Sequence, residues 1–228
     1  MIDLVRHVAG RALDAALPAS CVGCGQEGPP LCRTCVPALD RRLDAPAGVP
    51  IGLPGDLPAP LLQLDWCAPF SGTVRAALHA IKYGGEQRLG EPLGAAVARR
   101  WARVGVGTDL VTHVPVHAAR ARTRGYDQAE LIARVAARCL GLPYASLLTR
   151  ERATIAQFDL DRSGRAANVA GAFAVLASRR GRGLDLTGRW VLIVDDVVTT
   201  GATLAACAEA LEGAGALGAS AITVARER

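Results

Sequence analysis

Asp195 and Asp196 stand side by side directly after the apolar run Val191-Leu192-Ile193-Val194, and three hydroxyls, Thr199, Thr200 and Thr203, follow around Gly201. Convergent hydroxyls and the unpaired N–H groups of a helix start suit a phosphate monoester. The two carboxylates would repel that phosphate; they match the vicinal hydroxyls of a sugar, or a divalent cation shared with a ligand's phosphates. A sugar phosphate satisfies both halves at once. Positioning such a site needs three elements. The four apolar residues, three of them β-branched, predict a buried strand with the acids at its carboxyl end. A glycine turn follows, in which Gly201 allows close approach of the backbone to an anion. The run Leu204 to Leu211 is helix-favouring, which predicts a helix starting within Thr199 to Thr203.

The nine residues Asp195-Asp196-Val197-Val198-Thr199-Thr200-Gly201-Ala202-Thr203 resemble the phosphoribosyl pyrophosphate (PRPP) motif of type I phosphoribosyltransferases. The resemblance implies that Asp195 and Asp196 hold the ribose 2′ and 3′ hydroxyls. It implies that Thr199, Thr200, Gly201, Ala202 and Thr203, with Val197 leading into the turn, hold the 5′-phosphate. It also implies PRPP bound with Mg²⁺.

Two cysteine pairs, Cys21-Val22-Gly23-Cys24 and Cys32-Arg33-Thr34-Cys35, are separated by seven residues. Four thiolates without histidine favour a structural tetrahedral zinc, and two redox disulfides or an iron–sulfur cluster are the competing readings. Cys67, Cys139 and Cys207 are isolated in apolar surroundings, where core packing is the default. Residues 40–60 carry so many prolines and glycines that no long regular element fits, and a loop or linker is expected.

The whole chain of 228 residues can bury one core and carry a small appendage. Half of it is apolar, yet its apolar runs fall short of a membrane span, so no membrane insertion is expected. Ile2 to Leu17 predicts an amphipathic helix ended by Pro18, not a secretory signal, and a cytoplasmic location is the expectation. A net charge of +5 suits an anionic ligand or a weak nucleic-acid surface without demonstrating either. There is no GxxxxGK loop and no GxGxxG after the early strands, which argues against an ATPase or a dinucleotide-binding site.

Leu62 to Phe70 predicts a strand, with Trp66 and Phe70 available for a small core or a partner. Ser71 to Gly85 predicts a capped helix with Val74, Leu78 and Ile81 on one face and Lys82 in the favourable last turn. Leu89 to Val104 predicts a second helix. Leu110 to His117 reads as the first strand of the main parallel sheet. It feeds a basic loop containing Arg120, Arg122 and Arg124, then a helix from Ala129 to Leu140. Arginine forks suit a pyrophosphate, and a strand's carboxyl end delivers the loop to the same sheet edge as the acids. In the resembled family this loop lies by the pyrophosphate, which implies a catalytic role for Arg120, Arg122 and Arg124 beside Asp195 and Asp196.

Arg124-Gly125-Tyr126-Asp127-Gln128, then Arg150 to Gln157, then Arg165-Ala166-Ala167-Asn168-Val169-Ala170-Gly171-Ala172-Phe173 resemble segments of the ComF/GntX-like competence proteins. Asp127 stands where that family has asparagine, which removes an amide donor but preserves helix capping. By the same resemblance Arg152, Gln157, Arg162 and Arg165 are candidates for a mobile loop closing on ligand. Ala172 to Leu176 predicts a short strand and Ala219 to Ala225 a last one. Alternation of strand and helix from residue 110 onward predicts a parallel sheet covered on both faces.

The expected architecture is therefore α/β, a parallel-sheet type I phosphoribosyltransferase fold with an N-terminal four-cysteine zinc module. Residues 1–45 would hold the N-terminal helix and zinc module, 46–60 the linker and 61–228 the phosphoribosyltransferase-like domain. Two function classes follow. As an enzyme, the chain would bind PRPP with Mg²⁺ and let an unknown acceptor attack ribose C1 as pyrophosphate leaves. As a binding module, it would recognise a nucleotide, a sugar phosphate or single-stranded DNA. The resemblance also implies a helicase-like competence partner, although no nucleic-acid motif in the sequence establishes DNA binding.

Overall fold

The strand-forming run around the acids continues further than its apolar residues indicate. In the computed structural model, which describes residues 20–47, 57–116, 123–150, 171–176 and 184–227, strand β5 spans Trp190–Val198 and includes both Asp195 and Asp196. Its neighbour β6 (Gly218–Arg226) supplies the reason. The parallel ladder continues through Asp195↔Thr223 and Val197↔Ala225 to Val198↔Arg226, so the acids sit within the last turns of the strand and not beyond it.

Four parallel strands form the main sheet in the order β1-β6-β5-β2, with β1 at Gln63–Pro69 and β2 at Leu110–His113. The parallel sheet thus begins at residue 63, earlier than the alternation from residue 110 indicates. Its first strand returns to pair with the last one, from Gln63↔Ser220 to Pro69↔Arg226. β2 ends at His113, short of the expected His117. A small antiparallel pair, β3 (Leu148–Arg150) with β4 (Phe173–Val175), stands apart; β3 was not expected.

Side chains alternate across a strand, and β5 divides its bulk between two cores accordingly. Leu192 and Val194 join the cluster made with helices α1 (Gly72–Tyr83), α2 (Gly90–Val104) and α3 (Gln128–Leu140). Val191 and Ile193 join the opposite cluster with Leu204, Cys207 and Leu211 of helix α4 (Ala202–Gly213). Trp66 belongs to that second cluster. Cys67 and Cys207 are buried as expected, whereas Cys139 is exposed, because it falls on the outer face of α3.

Helices α2 and α3 cross at Gly94. A Cβ there would lie 2.5 Å from Val135 Cβ and 2.6 Å from the Ile132 carbonyl oxygen. Replacing Gly94 by alanine gains helix propensity of about 1 kcal/mol, but the backbone oxygen cannot move aside as a side chain could. Gly94→Ala is expected to destabilise the chain by a net ~1–3 kcal/mol, read as a lower urea midpoint with unchanged slope.

The cysteine segment shares the first core. Cys21, Leu31, Cys32 and Leu39 are buried in the same cluster as α1 and α2. Its exit is fastened by Arg100 of α2, which is 1 % exposed. Arg100 pairs with buried Asp65 of β1 at 2.8 Å and donates to the carbonyls of Leu43, Ala45 and Pro46. A charge so deeply buried is tolerable only because its Nε, Nη1 and Nη2 each donate to an oxygen. Arg42 lies 4.1 Å over the Trp66 ring, adding a second tie between this segment and the sheet. Residues 1–19, which include the expected N-terminal helix, and 48–56 of the linker lie outside the described residues. Among the described residues no helix is long and apolar enough to cross a membrane.

Candidate functional site

The carboxyl end of β5, the turn after it and the start of α4 wall one cavity of about 350 Å³. Asp195, Asp196, Val197, Val198, Thr199, Thr200, Gly201, Ala202, Thr203 and Leu204 all line it. The helix start predicted within Thr199 to Thr203 is found at Ala202, preceded by Gly201 in the left-handed region at φ 83°. An added Cβ at Gly201 would also meet Pro58 Cγ at 2.9 Å, so conformation and space both require glycine. No side chain caps α4 in the usual way; Ala202 N–H makes only a long 3.4 Å contact with Thr200 Oγ1. The start of α4 therefore lacks a side-chain cap, the condition under which a helix start can receive an anion.

The opposite wall comes from α1, through Arg75, His79, Lys82 and Tyr83, with Phe70 at the end of β1. Lys82, which the sequence reading assigned to a helix end in preference to phosphate handling, is brought to the candidate site. Its ammonium lies 2.8 Å from Asp196 Oδ2, and the two side chains are 21 % and 7 % exposed. Burial works against the Lys82 charge, but the Asp196 carboxylate and then Asp195 outweigh it and hold the amine above the ordinary lysine range. Helix geometry explained Lys82 as a charge at a helix end; only tertiary structure brings α1 across the acids.

Asp196 has a second donor. Gln128 Nε2 donates to the same oxygen at 3.1 Å, and Gln128 Oε1 accepts from Arg124 Nη1 at 2.9 Å. Tyr126 of the same segment donates to the Ile81 carbonyl, fastening the end of α1. The Arg124-to-Gln128 stretch thus serves as a brace between α1 and the acids. Asp127 caps α3 as expected, accepting from the Ala129 and Glu130 amides, and its other oxygen accepts from Val116 N–H at 2.8 Å. His113, at the end of β2, lies beside this carboxylate and meets Tyr144 Oη at 2.8 Å. Burial lowers the His113 pKa, against the opposing pull of the Asp127 carboxylate.

Asp195 sits differently. Burial first, and the neighbouring Asp196 second, push its carboxyl well above the usual carboxylate range. The folded chain therefore binds this proton more tightly than the unfolded one. Its contribution to stability is full below the ordinary aspartate range near pH 4 and is lost as pH rises toward the elevated folded value. Asp195→Asn is expected to raise stability at pH 7.5 and to give no gain at pH 3.5. Thermal melts at the two pH values check this; a gain at pH 3.5 as large as at pH 7.5 contradicts it.

Of the other expected site residues, Arg124 is brought to the acids through Gln128. Arg120, Arg122, Arg152, Gln157, Arg162 and Arg165 lie outside the described residues.

The four cysteines converge separately. The sulfurs of Cys21, Cys24, Cys32 and Cys35 lie within 4.8 Å of one another, and Cys24 and Cys32 are 3.7 Å apart. A tetrahedral ion with metal–sulfur bonds of about 2.3 Å sets its ligands about 3.8 Å apart, so the cluster can chelate a single metal ion. Burial raises the Cys21 thiol pKa, but the amides of Cys32, Cys24 and Gly23 reverse this and bring it to about 6, toward the thiolate a metal needs.

Comparison with known proteins shows the family. The phosphoribosyl transferase domain family matches residues 130–228. The DNA utilization protein YhgH of Escherichia coli K12 is 30 % identical over 189 residues, covering 79 % of this chain and 77 % of that protein. The chain belongs to the ComF/YhgH family. Competence protein F of Haemophilus influenzae, another relative, is 33 % identical over 97 residues, covering 42 % of this chain and 41 % of its own. The glutamine PRPP amidotransferase of B. subtilis is 25 % identical over a superposition covering 58 % of this chain and 25 % of that one, with a TM-score of 0.39. For a ComF/YhgH-family chain, a parallel α/β sheet with a metal-competent cysteine cluster is thus the architecture, as the sequence predicts.

Proposed function

We propose that this chain is a binding module for a phosphorylated ribose, presented by a nucleotide, PRPP or a related sugar phosphate, and that it works in DNA uptake or processing. The observation that carries the reading is the single cavity walled by both halves of the motif. Its turn would take the 5′-phosphate, and Asp195 and Asp196 would face the ribose hydroxyls. Lys82 offsets one carboxylate, so an anionic ligand meets a site whose acidic charge is already balanced in part. The relatives' names, a DNA utilization protein and a competence protein, support the process.

Calorimetry with PRPP, with and without Mg²⁺, tests the site. Asp195→Ala/Asp196→Ala and Thr200→Ala are each expected to weaken binding at least ~10-fold, the loss of one charge-assisted hydrogen bond or more. Unchanged tight binding in both variants sinks the assignment.

The match to the phosphoribosyl transferase family supports a second reading, transfer of the phosphoribosyl group to an acceptor. In it, Arg120, Arg122 and Arg124 would meet the charge growing on pyrophosphate as it leaves ribose C1. Asp196 Oδ2 is already engaged by Lys82 and Gln128, so an accompanying Mg²⁺ would be held mainly by the ligand's pyrophosphate oxygens. Pyrophosphate release from PRPP and Mg²⁺ on adding nucleobases distinguishes transfer from binding alone.

Zinc is the proposed occupant of Cys21, Cys24, Cys32 and Cys35, where four protein thiolates fill its coordination and leave it a structural cross-link. Single-stranded DNA, a helicase-like competence partner and a cytoplasmic location belong to the same proposal; DNA affinity would fall steeply with added salt.

A further inference from the structure

Helix α1 has two faces of opposite character. Val74, Ala77, Leu78 and Ile81 are buried against the sheet. Arg75, His79 and Tyr83, spaced four residues apart, share one stripe on the other side and are all exposed. That stripe carries large aromatic surface that packing does not account for, with Tyr83 71 % exposed. It nevertheless lines the same cavity as the phosphate turn.

The rings on it are arranged in a row. Phe70 and His79 have centroids 6.1 Å apart at a tilt of 32°, and His79 meets Tyr83 edge-on at 5.6 Å. Cations flank both ends: Arg75 lies 6.0 Å from the Phe70 ring and Arg124 lies 5.2 Å from the Tyr83 ring. Glu227 also lines the cavity, adding a carboxylate residue to it, and its backbone N–H is bound to the Val198 carbonyl. Aromatic faces bordered by arginine and a carboxylate acceptor suit a flat heterocycle with exocyclic amino groups, because stacking needs a π-face and the amine needs an acceptor. A pentose phosphate can meet the arginines, but it has no π-face to set against the row of rings.

We propose that Phe70, His79 and Tyr83 form a base-stacking subsite continuous with the phosphate turn, so that the ligand is a mononucleotide and not a bare sugar phosphate. The proposal rests on the turn after β5 holding a 5′-phosphate. It assigns a role to an element that lies wholly before the matched phosphoribosyl transferase region at 130–228. It also supplies the base pocket that no stretch of the sequence identifies.

Calorimetry at fixed salt with ribose 5-phosphate, AMP and a 5′-phosphorylated single-stranded oligonucleotide tests it on the full chain. The wild type is expected to bind AMP at least ~10-fold tighter than ribose 5-phosphate, the scale of one base stacked on an aromatic side chain. In His79→Ala and in Tyr83→Ala the ratio of the two affinities should fall toward one. Both side chains are exposed, and continued binding of ribose 5-phosphate reports that each variant is folded. Equal affinity of the wild type for the two ligands, or an unchanged ratio in both variants, overturns the subsite while leaving the phosphate turn standing. No binding of ribose 5-phosphate by the wild type overturns the phosphate turn, and the subsite with it. Binding of the oligonucleotide more than ~10-fold tighter than AMP, with a steep salt dependence, assigns the wall to a nucleic-acid strand and overturns the mononucleotide.

Discussion

Stripping the proposed zinc from Cys21, Cys24, Cys32 and Cys35 is expected to lower the melting temperature of the whole chain by ~10 °C or more, not merely to loosen one end. Structural zinc contributes roughly 10–16 kcal/mol of apparent binding free energy in isolated zinc-finger peptides. Only part of that is expected as stability here, since the surrounding core survives in part. The effect is global because Cys21, Leu31, Cys32 and Leu39 pack in the same cluster as Leu78, Ile81, Leu93 and Val97. Releasing the knuckles exposes the buried ends of α1 and α2. At roughly 2–4 °C per kcal/mol for a chain of this length, a loss of ~4 kcal/mol gives the predicted shift. Thermal melts before and after chelation, with metal analysis of the released ion, check it. Cys32→Ser should reproduce the loss without chelator. A shift under 2 °C with all the metal removed would show that the cysteine segment does not support the core.

Lys82→Ala is expected to cost ~2 kcal/mol of stability and to weaken binding of a phosphorylated ribose by ~10-fold or more. Removing one partner of a fully buried ion pair costs about 3–5 kcal/mol. Lys82 keeps one-fifth of its exposure, so the smaller figure applies. The loss leaves two adjacent carboxylates at a site meant for an anion, with Gln128 as the remaining donor to Asp196 Oδ2. A double-mutant cycle separates charge from packing. Lys82→Ala/Asp196→Asn should recover most of the stability, because the charge left uncompensated is gone. Ligand affinity should stay low, since the acid itself is lost. If the double variant is as unstable as Lys82→Ala, the ion pair is not what α1 contributes.

The local parts of the site were legible because they are carried by neighbours in sequence. Val191 to Val194 announced a strand, Gly201 a turn and Leu204 to Leu211 a helix; the turn and the helix are found where expected, and the strand starts at Trp190 as expected but runs on to Val198. Asp127 was legible as a helix cap for the same reason, since its partners are the amides of Ala129 and Glu130. What the chain brings together over long separations was not. Lys82 and Asp196 are 114 positions apart, and an amphipathic helix ending in lysine is fully explained without a distant carboxylate. Arg100 likewise lies on a helix whose sequence names no partner for it, yet it is buried against Asp65. The strand β5 outran its apolar stretch because β6 keeps pairing with it, and pairing partners are invisible to periodicity. Cys139 shows the converse: apolar neighbours in sequence did not put it in the core.

The central claim is that the turn after β5 and the two acids before it cradle one phosphorylated pentose. A crystal structure of the chain with ribose 5-phosphate tests this most directly. The account predicts the phosphate within hydrogen-bonding reach of the Thr199 to Thr203 turn and the ribose hydroxyls against Asp195 and Asp196. A phosphate bound elsewhere with that turn empty, or a sugar held with its hydroxyls pointing away from both acids, contradicts it.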